Sequence, residues 1–201
     1  VYELIEKNNI PFSGIRLIIG GGDSADGYHI GISRLLIIQQ PMAAPPEKMI
    51  TNGITLATYG FQRQLPIVKT TDYLMAIWLQ PWMQEQGADD ILYHDHGVVR
   101  ECPRSNFFIV KNNTLITCSD SMLKGITRKN ILKVCAEAGI KVEERILKVE
   151  ELATAEEAFI SSSTKRITPV QKIDGVTLPT ITNESLSSKI FDLLKNKEAQ
   201  Y

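Results

Sequence analysis

Four stretches of this sequence set reactive side chains where they could do chemistry. Lys69 follows the apolar pair Ile67-Val68 and precedes Thr70-Thr71, between a strand pattern and a helix pattern. A lysine amine held in a pocket at such a junction can shed its proton and attack a carbonyl. A solvated surface lysine is the plainer alternative. Glu101 ends the stretch Gly97-Val-Val-Arg-Glu101. A carboxylate at the tip of a short strand can face a ligand nitrogen, or it can form a surface ion pair with Arg100 or Arg104 of little energetic weight. Leu123-Lys-Gly-Ile-Thr-Arg128 opens a helix. Gly125 there admits a ligand close to the backbone, the first helical turn carries unpaired N–H groups, and Thr127 adds a hydroxyl. That set suits a phosphate, unless Thr127 is only an N-cap. Ser161-Ser-Ser-Thr164 lines up four hydroxyls between two apolar runs, either a second anion cradle or a polar turn. His29, His94 and His96 show no ligand spacing with cysteines or carboxylates. The three cysteines, Cys102, Cys118 and Cys135, are odd in number and widely spaced. No zinc signature or disulfide framework is legible, and no metal is expected.

The elements that must position these residues follow from the apolar periodicity. The first residues, Val1 to Asn9, read as a helix, so the chain opens inside an element. Strands are expected at Gly14–Ile19 and Ser33–Gln40, able to pair as neighbours across the turn Gly20-Gly21-Gly22-Asp23. Pro41-Met-Ala-Ala-Pro-Pro46 reads as a proline-stiffened linker. Gly53–Tyr59 is a strand. Thr71–Gln86 is a helix that Pro81 should kink. Asp90–His94 is a short strand with a turn at Asp95-His96-Gly97. Asn106–Val110 and Thr114–Thr117 form a hairpin through Lys111-Asn112-Asn113. Arg128–Ala138 is a helix stopped by Gly139. Lys141–Leu147 is a strand, and Val149–Ala155 a short helix. Ala158–Ser162 and Ile167–Gln171 are strands, and Glu184–Asn196 is a closing helix. Alternating strands and helices define an α/β or mixed α+β class.

Composition narrows the function classes. The chain has 201 residues, with 43% hydrophobic and 22% charged side chains, which is ordinary for a globular chain with a sizeable core. Lys and Arg total 22 against 23 Asp and Glu, a net charge of −1. That lacks the basic excess of a non-specific nucleic-acid binder. No run reaches the ~18 apolar residues of a membrane span. Free thiols suit a reducing compartment, so a cytoplasmic location is expected, with no nucleic-acid or membrane partner.

Taken together, the motifs are no longer anonymous. They are Pro66-Ile-Val-Lys-Thr-Thr-Asp-Tyr73, Val98-Val-Arg-Glu-Cys-Pro-Arg-Ser-Asn-Phe107, Leu123-Lys-Gly-Ile-Thr-Arg128 and Phe159-Ile-Ser-Ser-Ser-Thr-Lys-Arg-Ile-Thr-Pro-Val170. Their order and spacing resemble the class IV aminotransferases, the fold type IV group of pyridoxal phosphate enzymes. That group includes branched-chain aminotransferases, D-amino acid aminotransferases and aminodeoxychorismate lyases. The likeness runs through essentially the whole chain. It implies the remainder of a small N-terminal α/β domain over 1–42, an interdomain linker over 43–49, and a larger C-terminal mixed α/β pseudo-barrel domain over 50–201.

The resemblance also implies roles. Pyridoxal 5'-phosphate would be the cofactor. Lys69 would be the catalytic residue, holding it as an internal aldimine and carrying the proton between Cα and the cofactor carbon. Glu101 would pair with the pyridine nitrogen and keep it protonated. Tyr73 would hydrogen-bond the phenolic oxygen, and Leu123 would pack on the ring. Gly125, Ile126 and Thr127 would take the phosphate, joined by Ser162 and by Ser163, which stands where the family usually has Thr. Ser163 and Thr164 would turn backbone N–H groups to the substrate carboxylate. Asn106 and Arg128 match typical family positions and are read as structural.

The branched-chain enzymes carry Tyr-x-Arg in a small-domain strand, and this chain has Gly14-Ile-Arg16. Arg16 would therefore bind substrate and favours an L-branched-chain amino acid, with a 2-oxo acid such as 2-oxoglutarate as partner. D-amino acid transamination and aminodeoxychorismate lysis are the alternatives with the same cofactor. The family's small-domain phosphate-binding arginine has no counterpart here, so the chain is expected to be a piece lacking the N-terminal part. A fragment that keeps only the fold is the remaining alternative. The resemblance implies a homodimer.

Overall fold

The computed structural model describes residues 1–43 and 45–199. The chain forms two compact units, Val1–Ala44 and Pro45–Tyr201.

The first unit is a helix and a hairpin. Helix α1 (Tyr2–Asn8) stops at Asn9, whose φ of 48° places it in the left-handed region that terminates helices. Strands β1 (Ser13–Gly20) and β2 (Arg34–Pro41) pair antiparallel from Ser13↔Pro41 to Gly20↔Arg34. Their connection returns on itself at Gly22, where an added Cβ would lie 2.0 Å from the Ile32 carbonyl oxygen. Arg16 sits in β1 opposite Ile38, with its surface exposed.

The expected linker over 43–49 includes Ala44, which lies outside the described residues. Over its last residues it is not a linker: Glu47–Thr51 forms helix α2, with Pro46 as N-cap. Proline pre-sets the backbone for a helix start and lacks only an N–H that would be unpaired there.

The second unit is built on a nine-stranded mixed sheet. Its strands are β3 (Ile54–Gly60), β4 (Asp90–Asp95), β5 (Val98–Val99), β6 (Asn106–Lys111), β7 (Thr114–Cys118), β8 (Val142–Arg145), β9 (Glu157–Ser162), β10 (Arg166–Ile173) and β11 (Val176–Thr177). The order is β5-β4-β3-β10-β9-β6-β7-β8, with β11 beside β10. The parallel pairs β3·β4 and β7·β8 are joined through helices, as parallel neighbours must be. The sheet curls until its ends meet: Val98 bridges Lys148, just after β8, and the Val99 N–H donates to the Leu147 carbonyl at 2.8 Å.

Strand β6 shows why the sheet is buried on both faces. Phe107 and Ile109 point into the core enclosed by the curled sheet, with Leu56, Leu92, Ile116 and Ile160. Phe108 and Val110 point outward and are covered by helices α5 (Ile126–Glu137) and α6 (Leu186–Glu198), through Ile131, Ile190 and Leu194. Period-two alternation puts successive side chains on opposite faces, and each fully buried apolar side chain contributes about 1.5–3 kcal/mol. Phe108 stacks on Phe159, with ring centroids 4.8 Å apart.

Two local expectations change. The helix expected over 71–86 is two short helices, α3 (Leu74–Trp78) and α4 (Gln80–Glu85). Asp72 Oδ1 accepts the Leu74 N–H at 3.0 Å and starts the first helix late. Pro81 lacks the N–H that would continue the ladder, so the helix restarts rather than bends. The short helix after β8 is a 3-10 helix, Val149–Thr154. The hairpin turn is as expected, with Asn112 and Asn113 at φ 49° and 54°, the pair of left-handed residues that a two-residue loop requires.

All three cysteines are free and buried. Burial pushes the Cys135 thiol up to about 11 and raises that of Cys102 as well. Less thiolate therefore forms near neutral pH than in a free cysteine. The native protein is expected to resist iodoacetamide at pH 8 and to take up three labels once unfolded in guanidinium. Intact-mass analysis checks this, and rapid native labelling at Cys135 would contradict it.

Candidate active site

Irregular backbone carries the reactive groups, and the sheet of the second unit fixes where that backbone begins and ends. The segment 61–73 between β3 and α3 brings Lys69 and Tyr73. The segment between β5 and β6 brings Glu101, and the segment between β7 and α5 brings Leu123 and Gly125. The start of β6 and the end of β9 are cross-strand neighbours, with Asn106 opposite Ser161. These pieces converge on one cavity of about 280 Å³. It is lined by Lys69, Tyr73, Glu101, Leu123, Gly125, Ile126, Thr127, Ser162 and Ser163, together with Arg63, Ser105, Asn106 and Ser161. Thr164 is exposed at the turn beyond it, its hydroxyl 3.5 Å from that of Ser162.

Glu101 is the buried charge of the site, at 5% exposure. Arg100 pairs instead with Asp95 and Asp120, so the surface-pair alternative for Glu101 fails. One carboxylate oxygen of Glu101 accepts from Arg63 Nε at 2.9 Å and lies 2.8 Å from Nη2 in the ion pair. The other accepts the Leu123 N–H at 3.1 Å. Burial raises the Glu101 carboxyl above the usual range, while Arg63, the Leu123 N–H and Lys69 pull it back. Lys69 itself is exposed on the cavity wall.

The start of helix α5 has the open form that an anion cradle needs. Helix α5 begins with Gly125 as its N-cap, in extended conformation and without a side-chain cap. Thr127 is therefore not the cap, and the first-turn N–H groups stay available to an anion. Asn106 clamps the preceding turn: its Nδ2 donates to the Leu123 carbonyl at 2.6 Å, and its Oδ1 accepts the Gly125 N–H at 3.2 Å. A Cβ at position 125 would stand 2.5 Å from that Oδ1. Gly125→Ala is thus expected to break the clamp and cost about 1 kcal/mol or more of stability, read as a lower urea midpoint. An unchanged midpoint would show that the turn has another support.

The donor set also fits a polar ligand. Ser105 and Ser161 belong to the cavity wall, are buried at 4% and 1% exposure, and their hydroxyl oxygens have no partner within the protein. Buried hydroxyls without partners are uncommon in native proteins because each costs about 1–3 kcal/mol. Among the described residues no group of three or more His, Cys, Asp or Glu is placed to hold a metal ion. Arg128 is structural, as its motif position implied. Buried at 3% exposure, it donates to the Cys118 carbonyl at 2.9 Å and to Glu144 at 2.6 Å.

Sequence reasoning missed Arg63 and Ser105, and it took Ser161 only as one of a run of hydroxyls. Arg63 lies 38 residues from Glu101, so no local pattern announces the pair.

The fold is that of a class IV aminotransferase, and the comparisons with known proteins agree. The chain matches the family described as amino-transferase class IV over residues 1–173, and it belongs to that family. It is 29% identical to the D-alanine aminotransferase of Bacillus licheniformis, covering 96% of this chain and 70% of that protein. It is 31% identical to the branched-chain-amino-acid aminotransferase of Escherichia coli K12, covering 87% of this chain and 60% of that protein. The crystal structure of the Escherichia coli branched-chain amino acid aminotransferase superposes with a TM-score of 0.82 and 28% identity, over 94% of this chain and 66% of that one. The chain thus spans between 60% and 70% of the length of these relatives.

Proposed function

We propose that this chain carries the cofactor-binding part of a pyridoxal 5'-phosphate-dependent aminotransferase. It would move an amino group between an L-branched-chain amino acid and a 2-oxo acid such as 2-oxoglutarate. The observation that carries this reading is a convergence in one cavity: the Lys69 amine, the buried carboxylate of Glu101, and the uncapped start of α5 beside the Ser161–Ser163 hydroxyls. Pyridoxal phosphate, when bound, supplies an electron sink for the pair left behind as a substrate Cα gives up its proton.

The residues divide the remaining work. Lys69 would hold the aldehyde carbon and, once the substrate's amino group has displaced it, the freed amine would take and return the Cα proton from a fixed position, where a positioned amine acts at high effective concentration. The Glu101 carboxylate would hold a proton on the ring nitrogen. Tyr73 would donate to the phenolic oxygen, and Leu123 would pack on the ring. The N–H groups of Ile126 and Thr127, with Ser162 and Ser163, would hold the phosphate beside Gly125. The backbone at Ser163 and Thr164 receives the substrate carboxylate. Arg16 is assigned to substrate binding on the strength of its Gly14-Ile-Arg16 motif alone.

Borohydride treatment of the protein with pyridoxal phosphate tests this directly, because it fixes the aldehyde carbon to the amine that holds it. A label at Lys69 alone is the expected result. A label elsewhere, or none, would sink the reading. A D-amino acid donor is the second reading, favoured by the match to the D-alanine enzyme over 96% of this chain. Product chirality separates the two. The homodimer rests on the family resemblance and is checked by light scattering. The cytoplasmic location rests on three free, buried thiols. Among the described residues no helix is long and apolar enough to cross a membrane.

A further inference from the structure

Arg63 has no role in the scheme above, yet it touches both halves of it. Its Nε donates to a Glu101 carboxylate oxygen at 2.9 Å, and its Nη2 lies 2.8 Å from the same oxygen as an ion-pair contact. The same group donates Nη2 to the Pro66 carbonyl at 2.7 Å and Nη1 to the Val68 carbonyl at 3.5 Å. Val68 is the residue before Lys69. One rigid, planar cation thus joins the carboxylate assigned to the ring nitrogen to the irregular segment that carries the amine. Both partners are inside the protein, with side chains 13% and 7% exposed.

We infer that Arg63 is a positioning residue: it keeps the Glu101 carboxylate charged and oriented, and it holds the Lys69 segment against the cavity. This rests on the aminotransferase reading for its purpose, but not for its geometry.

Two physical arguments support it. The first concerns charge. A carboxylate this buried loses its hydration and favours the neutral acid. The groups facing Glu101 are Arg63 and Lys69 from segment 61–73 and the Leu123 N–H from the start of the α5 region. Tyr93 on β4 and Cys102 next along the chain also feel its charge. Of these, Arg63 is the foremost group opposing the burial. Without it, Glu101 would take up a proton at higher pH, and a neutral acid cannot hold a proton on a ring nitrogen. The second argument concerns geometry. Arg63 grips one carboxylate oxygen and the Leu123 N–H grips the other. That fixes the plane of the carboxylate while each oxygen keeps a further lone pair. The rigid guanidinium plane holds its carboxylate oxygen and the Pro66 carbonyl at once, a fixed geometry that a lysine ammonium lacks.

The test compares the full chain carrying Arg63→Met or Arg63→Lys with the unsubstituted protein. In the protein without cofactor, the Glu101 carboxyl carbon is followed by NMR through a pH titration, with Glu101→Gln identifying the resonance. In the loaded protein, three readouts are taken: pyridoxal phosphate affinity, the pH at which the bound cofactor's absorption changes on acidification, and borohydride labelling. Arg63→Met is expected to move both the Glu101 titration and the acid limb to higher pH. It should weaken cofactor affinity about 10- to 100-fold. Arg63→Lys is expected to restore the titration but not the affinity, since it returns the charge without the fork; it also decides the matter if Arg63→Met does not fold.

An unchanged Glu101 titration in Arg63→Met, or in Arg63→Lys a titration as displaced as that of a folded Arg63→Met, would overturn the charge role. Wild-type affinity in Arg63→Lys would overturn the positioning of the Lys69 segment. If the unsubstituted protein takes no label at Lys69, the aminotransferase reading falls. The Glu101 titration in the unloaded protein still decides whether Arg63 keeps that carboxylate charged.

Discussion

Lys69→Ala is expected to lose transamination by at least about 10²–10⁴-fold, the range a positioned base supplies, with the borohydride label gone. The fold should be untouched, because Lys69 is exposed and lies outside every helix and strand. The thermal midpoint should therefore stay where it is while turnover collapses, which separates a chemical role from a structural one. A small primary amine added to Lys69→Ala should return only a fraction of the rate. It supplies the base but not the effective concentration, which reaches about 10⁵–10⁸ M for a well-aligned group. Turnover of Lys69→Ala at the unsubstituted rate would leave the cavity without its proposed base and end the aminotransferase reading.

Glu101→Gln is the second large effect. Glutamine keeps the size and an acceptor oxygen for Arg63 but carries no charge. Turnover is expected to fall about 10²–10³-fold, as when one preorganised electrostatic partner is removed from a reacting centre. Stability should fall as well, because Arg63 is left half-buried without a counter-charge. The two effects can be told apart. A loss of stability with unchanged turnover would make Glu101 only the partner of Arg63. A loss of turnover with the absorption of the bound cofactor altered would place it against the ring. The pH dependence has a definite sign. Glu101 must be ionised to hold the ring proton, and burial raises its carboxyl. Activity in the unsubstituted protein should therefore fall on acidification at a higher pH than an ordinary carboxylate would impose.

Much of the site was legible because short motifs carry local physics. The turn Leu123-Lys-Gly125 and the helix after it form from neighbours in sequence, so the anion cradle could be read before any fold was known. The same holds for Asn112-Asn113, whose side chains tolerate the left-handed backbone of a two-residue turn. Where reading failed, the deciding contacts were remote or competed with periodicity. The apolar pattern over 71–86 does have a helical period. It is Pro81 and the Asp72 side chain that cut it into two helices. Helix α2 starts directly after the proline-rich stretch Pro41–Pro46, and its five residues are too few to show a helical period.

By itself the sequence determined the reactive residue types, their order along the chain, the hairpin of β6 and β7, and the family. Only the tertiary structure decided which of those residues share a cavity, and that Glu101 is buried rather than on the surface. Only there does Arg63 join Glu101 to the Lys69 segment, and do Ser105 and Ser161 stand as buried hydroxyls without partners. The reason is physical. Helix and turn preferences act over a few residues, so they are written in consecutive side chains. The charge and orientation of a buried carboxylate depend on what surrounds it in space. Here that surrounding is assembled from segments 38 and 22 residues away along the chain, when the sheet curls and closes.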